Sequence, residues 1–257
     1  MARLTDKIAI VTGAGQGVGR GIALAMAKEG AHIIVAGRNT KTCPAVVKEI
    51  EALGQRALFV PCDVRNKLDV RNTVHTTGNI FGAVDILVNN AHDTSKVWAP
   101  FMEWTDEALR GQMECSYMAS VWFMQECFPY LKRKGGRVIN IGSGAGVQSN
   151  VGYLGYSACK AALAAATRVA AREWGTFGIT ANVICPLADS PPIQSIMTER
   201  PEENFAEQVL KNLAIKRIGR CEEDIGRTAV FLASDDAAYI TGYSFNLDGG
   251  LMIDGAR

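Results

Sequence analysis

The sequence predicts a doubly wound α/β fold: seven parallel strands with helices on both faces of the sheet. Three observations predict it. Seven short apolar runs recur along the chain, stretches long enough for crossover helices separate them, and a glycine-rich loop follows the first run. Continuous rather than alternating apolar runs suit strands buried on both faces of a parallel sheet. Strand and helix in repetition then imply right-handed crossovers.

The strands are expected at Ile8–Val11, Ile33–Ala36, Ala57–Val60, Ile86–Val88, Val138–Ile141, Ala181–Ile184 and Tyr243–Leu247. A long helix is expected to start near Thr105, which can cap it, with Asp106 and Glu107 in the first turn. Lys132, Arg133 and Lys134 crowd its end and Gly135-Gly136 stops it. A second helix is expected from about Tyr156 to Trp174. It is dominated by Ala with few polar residues on any face, so it should be covered on both sides. The sheet covers one side. A partner subunit, or simply more of the same monomer, covers the other.

Length and charge narrow the function. The 257 residues, 48% of them hydrophobic, suit one domain spanning 1–257. A formal net charge of +1 gives no basis for a nucleic-acid or anionic-membrane partner. The seven cysteines lack paired spacing, and His32, His75 and His92 lack ligand spacing, so neither disulfides nor a metal is expected. Charged Asp6 and Lys7 precede any apolar run, and no run reaches the roughly 20 residues needed to cross a bilayer. A cytoplasmic protein is expected.

The segment after the first strand carries chemistry. Thr12, Gly13, Gly15, Gln16, Gly17, Val18 and Gly19 form a loop that opens a helix. The spacing is T-G-x-x-x-G-x-G. Glycines let a phosphate approach the backbone, and a helix N-terminus offers free N–H groups and a positive dipole end. The second strand ends Gly37-Arg38, where a ribose-binding carboxylate is expected in NAD proteins. Arg38 can pair with a 2′-phosphate, which favours NADP(H) and leaves NAD(H) possible. As an alternative, it simply begins a solvated loop. Asp63, beside Val64 after the third strand, can accept from an adenine amino group or cap the next helix.

Tyr156 and Lys160 are four apart, hence on one helix face. A cation about 4 Å from the phenol is worth roughly 4 kcal/mol at an effective dielectric of 20. That is on the order of three pKa units, enough for acid–base work near neutrality.

With the glycine motif, Asn89-Asn90-Ala91, Ser143 and Tyr156-x-x-x-Lys160 in this order, the chain resembles the short-chain dehydrogenase/reductase family, a Rossmann-type fold. The likeness is to its NADP-preferring ketoreductases, among them the 3-oxoacyl carrier-protein reductases. Asn182–Pro186 and Asp248-Gly249-Gly250 extend it. The resemblance implies that Tyr156 is the acid–base and that Ser143 donates to the substrate oxygen. Lys160 would lower the Tyr pKa and hold the nicotinamide ribose. It further implies that Asn89, Asn90, Ala91 and Pro186 border the cofactor, that the protein is a homotetramer or dimer, and that 185–215 forms a substrate lid. For 190–205 a plain surface loop with one short helix is the other reading, and both can hold.

Several positions depart from the family pattern. Gly is usual where His92 and Leu187 stand. Counting back from Pro129, Ser116 holds the place of a relay Asn, and its hydroxyl can still bond a water. An expected Thr is missing, with Asp189 or Ser190 as substitutes. His92, Ser143, Leu187 and Asp189 are therefore the expected substrate contacts. Three explanations stand: a specialised pocket, neutral drift or engineering, or impaired catalysis. The functional expectation is hydride transfer between nicotinamide and a ketone or secondary alcohol. An NAD-dependent alcohol dehydrogenase and a catalytically weak nucleotide-binding scaffold are the alternatives. Nothing in the residues favours a methyltransferase on a similar sheet.

Overall fold

The computed structural model describes residues 2–93, 97–191, 193–195 and 205–253. All seven expected strands form, each within a residue or two of its apolar run. They are β1 Ile8–Thr12, β2 His32–Gly37, β3 Ala57–Pro61, β4 Ile86–Asn89, β5 Arg137–Ile141, β6 Thr180–Pro186 and β7 Ser244–Leu247. Every pairing is parallel, and the order is β3-β2-β1-β4-β5-β6-β7.

The apolar runs feed two cores, because successive strand residues point to opposite faces. Ala9, Val11, Ile33 and Val35 pack on one side against α1 (Gly17–Lys28), α2 (Thr42–Ala52) and later α9 (Arg227–Ala233). Ile8, Ile10, Ile34 and Ala36 pack on the other against α3 (Lys67–Phe81), α5 (Ala119–Leu131) and α7 (Leu154–Trp174). A short α6 (Gly144–Gln148) follows β5, and α8 (Phe205–Asn212) lies beyond β6.

Two helix expectations need correction. The helix capped by Thr105 forms, with Thr105 Oγ1 accepting from Ala108 N at 3.2 Å, but it is not continuous. It runs as α4 (Asp106–Gln112), a π turn at Met113–Met118, and then α5. The second helix, α7, does carry a polar side: Arg168, Arg172 and Glu173 are exposed on it, together with Ala158, Ala161, Ala165 and Val169. That face is uncovered within one chain. Asn89 also departs from expectation. It is buried, and its Nδ2 donates to Asn140 Oδ1 at 2.8 Å, while Asn140 Nδ2 donates to Thr167 Oγ1 at 2.8 Å. This chain of amides ties β4, β5 and α7 together behind the cleft, instead of bordering a cofactor.

Candidate active site

A cleft of about 1190 Å³ lies above the carboxyl ends of the strands, where the order reverses between β1 and β4. Open α/β sheets bind ligands in this crevice because neighbouring connections there depart to opposite faces.

The glycine loop forms its first wall. Gln16 stands at the N-cap of α1 without a side-chain cap bond, and the first turn has no acidic residue. The leading N–H groups and the positive dipole end are thus available to an anion. Gly17 has φ +54°, a conformation that a side chain would strain. At Gly19 a Cβ would lie 2.4 Å from Asn90 Nδ2 and 2.5 Å from Gly13 O. Asn90 Nδ2 donates to Thr12 O at 2.9 Å, and Thr12 Oγ1 accepts from the N–H groups of Asn90 and Ala91. Thr12 and Gly19 therefore shape the cleft from behind. Gly13, Gly15, Gln16, Gly17, Val18, Asn90 and Ala91 line it.

Gly37, Arg38, Asp63 and Val64 line the next stretch. Arg38 Nη1 lies 3.9 Å from Asp63 Oδ2, but Asp63 is bound more closely by Arg65, at 2.8 and 3.1 Å. The Arg65 hydrogen bonds hold the Asp63 carboxyl below the usual range. Asp63 does not cap the next helix, because Asn66 Oδ1 takes that place by accepting from Leu68 N at 3.0 Å. Arg65 lines the cleft too, and its Nη1 lies 3.8 Å from Asp93. Sequence reading missed it, although its place two residues after Asp63 was a usable signal.

At the far end stand Ser143, Tyr156 and Lys160. Ser143 leaves β5 and caps α6, its Oγ accepting from Ala145 N at 3.2 Å. Lys160 is buried, and its Nζ donates to Ile141 O at 2.8 Å. Burial pushes the Tyr156 phenol up to about 12, while hydrogen bonding with Ser143 pulls it back. The expected lowering by Lys160 does not prevail here. The ammonium is committed to a carbonyl and lies 5.7 Å from the Tyr156 ring centroid, so desolvation of the phenolate wins. The same desolvation lowers Lys160.

His92 meets the Tyr156 ring edge-on, with centroids 4.9 Å apart, and its Nδ1 lies 4.0 Å from Cys115 Sγ. Burial, with help from the Lys160 charge, pushes the imidazole down to about 3, so it stays neutral. Pro186, Leu187 and Ser190 line the cleft, but Asp189 does not. Its carboxylate accepts from Gln194 at 2.8 Å and its N–H donates to Gly219 O, which turns it away. Residues 192 and 196–204 of the expected lid lie outside the described residues.

Ser116 also departs from expectation. It sits in the π turn, 1% exposed, and among the described residues its Oγ has no hydrogen-bond partner beyond its approach to the Cys159 thiol. Cys115 faces the cleft instead, accepting from Asp93 N at 3.4 Å. A π turn widens the backbone spiral and rotates the side chains within it relative to an α-helix. Counting back from Pro129 could not find that offset.

The family model described as enoyl-(acyl carrier protein) reductase matches residues 13–252, nearly the whole chain. The chain belongs to the short-chain dehydrogenase/reductase family. Relatives of this short-chain dehydrogenase/reductase include a 12alpha-hydroxysteroid dehydrogenase of a Clostridium species. The two are 38% identical over 258 residues, which cover 98% of each chain. A 3-oxoacyl-[acyl-carrier-protein] reductase of a Synechocystis species is 38% identical over 98% of this chain and all of its own. Among solved structures, a short-chain type dehydrogenase/reductase from Mycobacterium ulcerans is 26% identical with a TM-score of 0.90. That match covers 96% of this chain and 90% of the other. The protein is accordingly a nicotinamide-dependent oxidoreductase acting between ketone and alcohol groups.

Proposed function

We propose that this enzyme interconverts a ketone and a secondary alcohol with NADP(H), and that Tyr156 is its acid–base. One observation carries the reading. Ser143, Tyr156 and Lys160 line the same cleft as the uncapped start of α1. When bound, the nicotinamide supplies the hydride; the protein's part is to bind, orient and move a proton.

In reduction, the phenol of Tyr156 gives its proton to the carbonyl oxygen as the carbonyl carbon gains the hydride. A half-buried phenol held protonated suits that role. The Ser143 hydroxyl donates to the same oxygen and stabilises its developing charge. Lys160 spends one of its three N–H donors on Ile141 O, and the other two would hold ribose hydroxyls and stabilise a phenolate in the oxidative direction. Gly13, Gly15, Gln16, Gly17 and Val18 would hold the pyrophosphate, Arg38 the 2′-phosphate, and Asp63 with Val64 the adenine.

The remaining parts of the reading follow from the same layout. The chain acts as one domain, with the described lining residues Pro186, Leu187, Ser190, Pro191, Ile193 and Val209 bordering the substrate. His92 and Leu187 replace small residues and narrow the substrate side. The uncovered face of α7 packs on a second copy, giving a homo-oligomer. A hydroxysteroid and a 3-oxoacyl thioester, named for the two relatives, mark the range from which the substrate is drawn.

The test is Tyr156→Phe, with NADPH absorbance followed against a panel of ketones and cofactor binding measured by fluorescence. Turnover should fall by at least about a thousandfold while NADPH binding persists. A variant with near wild-type kcat would refute the assignment.

A further inference from the structure

The substrate end of the cleft differs in character from the cofactor end. Beyond Tyr156 its walls carry Val97, Leu187, Ile193, Val209, Leu251 and Met252. The whole cleft exceeds the roughly 300–1,000 Å³ typical of a single-ligand pocket, so a sizeable second ligand fits beside a dinucleotide.

The charged groups near this end are already engaged. Asp93 faces Arg65 at 3.8 Å, and the Asp248 carboxylate accepts from the N–H groups of Gly250 and Met252 at 3.0 Å. Lys160 donates to Ile141 O. His92 is neutral, with Nε2 buried. Among the described residues, what remains for a substrate's polar atoms is uncharged, chiefly the amides of Gln148, Asn150 and Asn212.

The apolar lining continues outward onto the mouth. Trp98 is 39% exposed, Val147 57%, Val151 90% and Ile253 81%. They form one rim. The Trp98 indole packs on Gly152, where a Cβ would lie 2.1 Å from its Nε1, and Ala99 N donates to Gly152 O at 3.0 Å. Val151 is the next residue and Val147 lies on α6. At the start of α6, Met252 packs on Gly144, and Ile253 follows it. Large apolar side chains left in water around a cleft cost free energy unless a ligand or partner covers them.

We infer that the substrate is an uncharged ketone or secondary alcohol on a bulky apolar body, seated in the apolar end and covering the exposed side chains from Trp98 to Val151. This rests on the ketone–alcohol reading above. The carbonyl lies at Tyr156 and Ser143, and the apolar body points outward. Among the described residues a small charged oxoacid finds no unengaged counter-charge there, and a small polyol leaves the apolar walls uncovered.

The test compares 2-decalone, dihydroxyacetone and pyruvate with NADPH, using the full chain and the exposed-site variants Val147→Asp and Val151→Asp. Decalone should exceed both small ketones in kcat/KM by at least about tenfold. Each variant should raise the decalone KM by about threefold or more, with kcat retained and dihydroxyacetone kinetics unchanged. Equal or better use of dihydroxyacetone or pyruvate would overturn the inference. So would an unchanged decalone KM in both variants, including the case in which they alter only the sedimentation of the protein. Failure with every carbonyl while NADPH still binds would overturn the ketone–alcohol reading, and this inference with it.

Discussion

His92 shows how burial sets chemistry at single residues. Its imidazole packs on Tyr156, with Lys160 near enough to oppose a second positive charge. An unfolded His takes up a proton near 6.5, whereas this one resists until about 3. The unfolded state therefore binds more protons between those values, and stability falls as pH drops below 6.5. The loss approaches about 1.4 kcal/mol per pH unit in that window. His92→Gln should flatten the acid limb of Tm between pH 4 and 7 while changing Tm little at pH 8. An acid limb as steep as wild type would show that other groups cause it. Arg38 makes a different test, since it is exposed and touches Asp63 only at 3.9 Å. Arg38→Ala should cut the NADPH-over-NADH ratio of kcat/KM by about tenfold, the worth of a charge-assisted hydrogen bond. An unchanged ratio would transfer the discrimination elsewhere, with Arg65 the nearest remaining guanidinium on the cleft.

Elements were legible where local pattern and burial agree. The run Ile33–Ala36 is buried on both faces and became β2 between β1 and β3. Thr105 capped its helix as its chemistry requires, but α5 stops at Leu131 with Lys132 at its C-cap, ahead of the expected Gly135-Gly136. The break at Met113–Met118 was not legible, because that segment contains no Pro or Gly to announce it. It decides which residue faces the cleft, Cys115 or Ser116. Ser116→Ala should leave kcat within about twofold, since it removes a buried hydroxyl lacking a firm partner. Ser116→Asn should instead cost about 1–3 kcal/mol in urea denaturation, because at a side chain 1% exposed the larger amide has to displace its neighbours. A large loss of kcat in Ser116→Ala would restore that side chain to a proton relay.

At the scale of the whole molecule, α7 has two different faces. One packs on the sheet through Leu163, Thr167, Ala170 and Ala171. The other presents Ala158, Ala161, Ala165 and Val169 to water, with Val169 55% exposed. These positions follow each other at helical spacing, so they form one small-residue surface suited to close approach by a second helix. Val169→Asp should shift the sedimentation of the enzyme toward a smaller species at micromolar concentration and lower its Tm. Unchanged sedimentation would remove this face from the assembly.

By itself, the sequence determined the parallel seven-stranded sheet, the glycine loop that opens α1, and the order of Ser143, Tyr156 and Lys160 along the chain. Those features follow from local rules: apolar runs for buried strands, glycine where backbone must come close, and helical spacing for paired side chains. Only the tertiary structure decided the direction of the Tyr156 shift, the engagement of Asp63 by Arg65, the turning away of Asp189, and the exchange of Ser116 for Cys115 at the cleft. Each depends on how elements distant in sequence desolvate or pair with a group, and no local pattern carries that information.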